Sequence, residues 1–269
     1  MIQTCMVRGA AAGLLAGLFT GLMALVLAEP SIDAAIALEE AASSGEAHAA
    51  SSAHSHAFEA ARTSVDRAAE SQPHVSPHSH AFSRRTQKLG LVVGLTLYGL
   101  SLGGLFGLVA AWATGRLEGD AWTRALKLGA AAALALVLIP AIKYPPNPPA
   151  VGDPDTVGIR TLFFLGLCLS TMGVLIVARS CSHALLQHAW SPPGAQLLSA
   201  LGALLVLAGV LTAFPANGGA GAFPADLLWS FRLWSVATQL LLLSTLAALY
   251  GLFESRAEHP VPSVSALRA

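Results

Sequence analysis

The sequence predicts an all-helical bundle that crosses a membrane about six times, and three observations carry that reading. Of 269 residues, 54% are hydrophobic and 11% charged, against about 25% charged in an ordinary soluble domain. Six apolar runs are each close to the length, about 20 residues, that spans a hydrocarbon core of about 30 Å. The polar residues gather in one long interval, residues 29–88, instead of alternating with the apolar ones. The formal net charge is zero and the basic residues are scattered, so no electrostatic footprint for nucleic acid is present. Three cysteines, Cys5, Cys168 and Cys181, without CxxC spacing, cannot form a fully paired disulfide framework.

The first apolar run covers residues 7–28 within a unit of residues 1–28. Its core, "GAAAGLLAGLFTG", sets Gly9, Gly13, Gly17 and Gly21 on one stripe at four-residue steps. Such a stripe lets a second helix approach backbone to backbone. It serves either as a docking face for a partner subunit or as a packing face within the bundle. The "VLAEP" that follows has the small-residue ending of a signal-peptidase site. The run exceeds the roughly 7 to 15 residues of a signal core, however, and a retained helix is expected.

Residues 29–88 form a His-rich extramembrane loop. "SIDAAIALEEAA" carries Glu39 and Glu40, and "HAFEAARTSVDRAAE" places Phe58, Ala61 and Val65 on one face, so two short helices are expected. "SQPHVSPHSH" has two prolines and cannot continue a helix. Six of the nine histidines fall in this interval. The pentapeptide HSHAF occurs twice, giving His54 with His56 and His78 with His80, and His74 stands beside the second copy. In an extended chain an HxH pair puts both imidazoles on one side. Imidazole ligates Co2+, Ni2+ and Zn2+ alike, and ligand histidines must be neutral, so capture fails below a pH of about 6.5. A solvated His-rich linker is the competing reading.

The bundle continues over residues 89–254, with spans at 89–113, 125–143, 160–179, 196–214 and 231–252, and a polar tail over 255–269. Within the span centres there is no Asp, Glu or His, which argues against a self-contained proton-driven antiporter. Cys168 and Met172 share one face of the fourth span and read as packing. The polar residues concentrate at boundaries instead. "KYPPNPPAVGDPDTVGIRT" is a stiff connector carrying Asp153 and Asp155, and "FPADLLWSFRLWS" carries Asp226 six residues before Arg232. These carboxylates, with Glu39 and Glu40, are the candidate hard-oxygen ligands along a substrate path; local charge pairing is the alternative. Lys and Arg in the short flanks favour both termini inside, which places the His-rich loop outside, although Arg84, Arg85 and Lys88 pull the other way.

No P-loop, GxSxG elbow, HExxH or dinucleotide fingerprint is present, so no enzymatic activity is expected. The string "EPSIDAAIALEEA", the ending "SHAFSRRTQKLGL", the connector "IKYPPNPPAVGDPDTVGIRT" and "FPADLLWSFRLWS" together resemble the CbtA family of cobalt transporter subunits. The resemblance runs over roughly residues 7–254. It rests on Glu29, Pro30, Glu39, Glu40, His78, His80, Ser83, Arg84, Gln87, Lys143, Pro145, Pro146, Asn147, Pro148, Asp153, Arg160 and Arg232, and it does not place the first HSHAF copy. It implies a multi-pass protein of a bacterial inner membrane that takes up Co2+ for cobalamin synthesis. The partner it implies is a small, single-span, His-bearing CbtB-type subunit, and no tightly bound cofactor is expected. The expectation is therefore a membrane subunit whose loop captures the ion ahead of a shared path. The alternative is a non-conducting, membrane-anchored metal-binding or assembly protein.

Overall fold

The computed structural model describes residues 2–27, 33, 36, 84–148, 151, 154–216 and 223–258. Among them are six long apolar helices and no strands: α1 (Ile2–Leu27), α2 (Arg84–Ala113), α3 (Ala121–Lys143), α4 (Val157–Gln187), α5 (Pro192–Ala213) and α6 (Ala225–Glu258). All six expected spans are present. Most run past the apolar stretch that predicts them, because hydropathy marks the part inside the hydrocarbon while the backbone stays helical beyond it. In α4 the polar "SCSHALLQ" continues the helix past Arg179 to Gln187.

The stripe on α1 packs against α2. Gly9, Gly13 and Gly17 face Gly107, Gly103 and Gly99 in antiparallel register, and Gly21 faces Val92. A methyl group on Gly13 would stand 2.7 Å from the Cα of Gly103, and one on Gly103 would stand 2.7 Å from the Cα of Gly13. The backbones touch where side chains would otherwise hold them apart, and from Gly9 to Gly21 this close contact runs about 18 Å at 1.5 Å per residue. Of the two readings of the stripe, the face is occupied from within the chain. The matching stripe on α2, Gly99, Gly103 and Gly107, carried the same signal in "GLSLGGLFG" and is absent from the sequence expectations above.

The four helices α1, α2, α3 and α6 meet in a core of Ala12, Ala16, Phe106, Ala110, Ala125, Leu242, Leu246, Ala247 and Tyr250. Alanines dominate on the first three helices, so α6 supplies most of the bulk, and the Tyr250 ring meets Phe106 edge-on at 5.3 Å. Small residues again allow close approach of α3 to α6: Gly251 sits under Trp122 and Ala125, and Gly129 lies against Ala247. Helix α5 packs on α4, and the pair stands beside the core. The outward residues of α5 include Leu197, Leu201, Leu204 and Leu205, with Leu205 75% exposed. A soluble domain does not present such a surface to water; hydrocarbon is its matching solvent.

Polar contacts show which helix ends lie together. At one end, Arg8 Nη1 pairs with Glu254 Oε2 at 2.8 Å, Arg124 Nη2 with Glu258 Oε1 at 2.6 Å, and Arg179 Nη2 donates to the Arg116 carbonyl at 3.3 Å. At the other, Arg232 Nη2 donates to Asn147 Oδ1 at 2.8 Å, the Tyr144 hydroxyl to the Pro215 carbonyl at 2.8 Å, and Lys88 pairs with Asp33 at 3.4 Å. The helices therefore alternate in direction. The first end is the terminal face, where α1 begins and α6 ends; the second is the loop face, where α1 ends and α2 begins.

On the terminal face the turn from α2 to α3 uses Gly115 and Gly119 at φ +81° and +112°, a conformation that favours glycine. Asp120 then caps α3 by accepting the Thr123 N–H at 3.0 Å. The Thr123 hydroxyl, followed by that bond, holds the Asp120 carboxyl below its ordinary range.

Candidate site in the membrane cleft

Helix α3 departs from regular winding at one place. Leu134–Leu138 form a π-helical turn, closed by the Ile139 N–H on the Leu134 carbonyl and followed by Pro140. The proline ring crowds the carbonyl four residues back and brings no N–H of its own. A wider π turn relieves the crowding and leaves one carbonyl of that turn without an in-helix donor. Leu136 and Val137 of the turn line a cleft of about 650 Å³ between the core and α4.

The cleft takes wall residues from five helices, and most are apolar, among them Leu95, Leu102, Phe164, Phe231 and Leu243. Five polar side chains interrupt the wall: Tyr98 from α2, Cys168 from α4, and Ser235, Thr238 and Gln239 from α6. The α6 residues follow from helical spacing, since Phe231, Ser235, Gln239 and Leu243 recur every four positions. Thr238 is satisfied within its helix by the Trp234 carbonyl at 2.8 Å. Cys168 is buried, whereas Tyr98 is 47% exposed. Met172, one turn from Cys168, is 40% exposed and lies outside the lining.

The proline-rich connector reaches over the loop-face end of the cleft. Tyr144 and Pro146 belong to its lining, and two bonds pin the segment: Tyr144 to the Pro215 carbonyl and Asn147 to Arg232. Burial pushes the Tyr144 phenol up, so it stays a hydrogen-bond donor across the physiological range. Arg232, six residues beyond Asp226, turns to Asn147 across the mouth.

The residues expected from sequence fall in three groups. His54, His56, His74, His78, His80, Glu39, Glu40 and Asp153 lie outside the described residues, as do most of the two short helices expected around them. Of the first of those helices, Asp33 and Ile36 are described, and both are helical. Asp155, in the 3-10 turn Pro154–Thr156 leading into α4, and Asp226, in the first turn of α6, are both exposed at the loop face. Neither lines the cleft. Gly9, Gly13, Gly17 and Gly21 are taken by α2. Among the described residues no three His, Cys, Asp or Glu side chains converge on a point where they would hold a metal ion. The cleft's polar set escapes a search for ionisable residues in spans, because it consists of a thiol, an amide, a phenol and hydroxyls. The available signal was Gln239 placed near the middle of an apolar run.

Six apolar helices of spanning length, a lipid-matched exterior and polar contacts confined to the two ends define a multi-pass α-helical membrane protein. The chain belongs to the CbtA family: the family described as "Probable cobalt transporter subunit (CbtA)" matches residues 2–255. No curated protein and no solved structure matches it.

Proposed function

We propose that this chain is the membrane subunit of a cobalt importer, with the cleft between α2, α3, α4 and α6 as the passage for the ion. The observation that carries this reading is the cleft itself. It is the place among the described residues where polar side chains from three helices face one space within the bundle, under a mouth shaped by the proline-rich connector. A polar group within a membrane is costly unless it lines a path or finds a partner. Family membership supports cobalt as the cargo.

The loop ahead of α2, residues 29–83, captures the ion on the outer side of a bacterial inner membrane. His78 and His80 stand nearest in sequence to α2; His54, His56 and His74 extend the capture region. Asp153, Asp155 and Asp226, with Glu39 and Glu40, form an acidic rim that draws a cation toward the mouth. Both termini then lie in the cytoplasm, in keeping with Arg116, Arg124, Lys127 and Arg179 on the terminal face. A small single-span, His-bearing CbtB-type subunit completes the path. Its contact lies away from the α1 glycine stripe, which α2 occupies.

The test is Co2+ flux into proteoliposomes holding this chain with the single-span partner, beside vesicles holding either alone or neither. Flux that needs this chain is expected, and it falls on replacing His78 and His80 by Ala and on lowering the outside pH below about 6.5. Metal bound by the chain with no flux under any of these conditions would favour a non-conducting metal-binding or assembly protein.

A further inference from the structure

We propose that the cleft holds the ion in transit through the Cys168 thiolate, the Gln239 amide oxygen and the Tyr98 hydroxyl, a donor set for a borderline or soft divalent transition-metal ion. This assignment rests on the transport reading above and names the ligands of its passage.

The three groups come from three helices and stand at similar distances along them. Helices α2, α4 and α6 all begin at the loop face. At 1.5 Å per residue Tyr98 lies about 21 Å from the start of its helix, Cys168 about 17 Å and Gln239 about 21 Å. All three line the same 650 Å³ space. Ser235, one turn above Gln239 on α6, marks the approach from the mouth at Tyr144 and Pro146. Among the described residues neither the Gln239 amide nor the Ser235 hydroxyl is bonded to another protein group. Both are part-buried on the cleft wall, and an amide so placed within a span is satisfied by water or a ligand.

The chemistry of the set selects its occupant. No Asp, Glu, His, Lys or Arg lines the cleft, so a divalent ion finds its negative charge at Cys168, the lining group that a bound metal ion converts to an anion. Coordination deprotonates a thiol outright. As the Sγ–metal bond forms, the Sγ–H proton passes to water in the cleft; when the ion leaves, a proton returns to sulfur. Thiolate favours Co2+, Ni2+ and Zn2+ and offers little to Mg2+ or Ca2+, which require oxygen cages. A single thiolate with two neutral oxygen donors binds less firmly than a closed tetrahedral site of four thiolates, or of two thiolates and two imidazoles, as a passage must if the ion is to move on.

The experiment is optical titration of the full chain in detergent with Co2+ alone, reading the thiolate-to-cobalt charge-transfer band, to which histidine ligation in the loop does not contribute. The expected band appears in the native chain, survives excess Mg2+, is kept when Cys5 and Cys181 are both replaced by Ala, and is lost in Cys168→Ser. Gln239→Leu keeps the band and weakens the apparent Co2+ affinity about tenfold or more, on the scale of lost metal-site support. If Cys168→Ser fails to fold, the Cys5 and Cys181 double variant still locates the thiolate by elimination. A native chain without the band, or a band that persists in folded Cys168→Ser, overturns the assignment. Flux measured on the same preparations separates the two claims. Flux without a band removes the site and leaves transport standing; a band without flux keeps the site and removes the transport reading.

Discussion

At the scale of single residues, the strongest constraints fall on groups too small to form contacts of their own. Gly13 and Gly103 are needed because each lies against the other's backbone, and overpacking a close contact costs about 1–3 kcal/mol per site. Gly13→Ala and Gly103→Ala should each lower the thermal unfolding midpoint in detergent. Gly94→Ala and Gly104→Ala, on α2 positions with open space beside them, should match the native chain or exceed it slightly through helix propensity. Asp120 acts through charge and hydrogen bonding at the start of α3. Its carboxyl titrates below the ordinary range because the Thr123 hydroxyl and N–H favour the ionised form. A depressed folded pKa means the stabilisation is complete above the unfolded value of about 3.9 and is lost as pH falls through the folded value. The midpoint difference between native and Asp120→Ala chains should therefore be constant near neutrality and close only under acid conditions. Asp120→Asn, which still caps, should show a smaller difference at neutral pH.

At the scale of elements, the instructive case is α3. Its length and apolarity were plain in the sequence, as was Pro140, yet nothing in hydropathy indicates that the helix answers the proline with a π turn instead of a break. The turn is in contact with both α4 and α6, so its winding depends on neighbours distant in sequence. Replacing Pro140 by Ala removes the reason for the wide turn. The variant should fold with an unfolding midpoint equal to or above the native one while Co2+ flux falls, because rewinding the turn displaces Tyr144 and the connector pinned at the mouth. The helix ends teach a related lesson. α4 and α6 outrun their apolar stretches because Arg179, Arg232 and Glu254 carry their charges to the faces, where Arg116, Asn147 and Arg8 meet them. Composition gives the number of spans, but such pairings depend on which helices are neighbours, and that information is not local.

At the scale of the whole molecule, the fold class was legible because the bilayer imposes one demand on every span. The α1 stripe was legible too, and its partner stripe carried the same four-residue spacing in "GLSLGGLFG", but that the two pair follows only from the packing. The candidate site was far less so. Attention to ionisable groups led to the loop histidines and boundary carboxylates. Two of these, Asp155 and Asp226, stand exposed at the loop face and outside the cleft. The cleft's own polar residues, Tyr98, Cys168 and Gln239, are separated by long stretches of chain and come to line one space through packing alone. Their arrangement also fixes a sidedness. Cys181, exposed and near the terminal-face end of α4, should resist a membrane-impermeant thiol reagent in intact cells and react in inverted membrane vesicles; the reverse pattern would turn the proposed orientation over.

The central claim is that this chain moves cobalt across the membrane. Its most direct test is the accumulation of radioactive Co2+ by cells lacking other importers, supplied with the partner subunit and with or without this chain. The expected result is uptake that requires the chain and is lost in a folded, membrane-inserted Gln239→Leu variant at limiting Co2+. Equal accumulation in cells with and without the chain would contradict it.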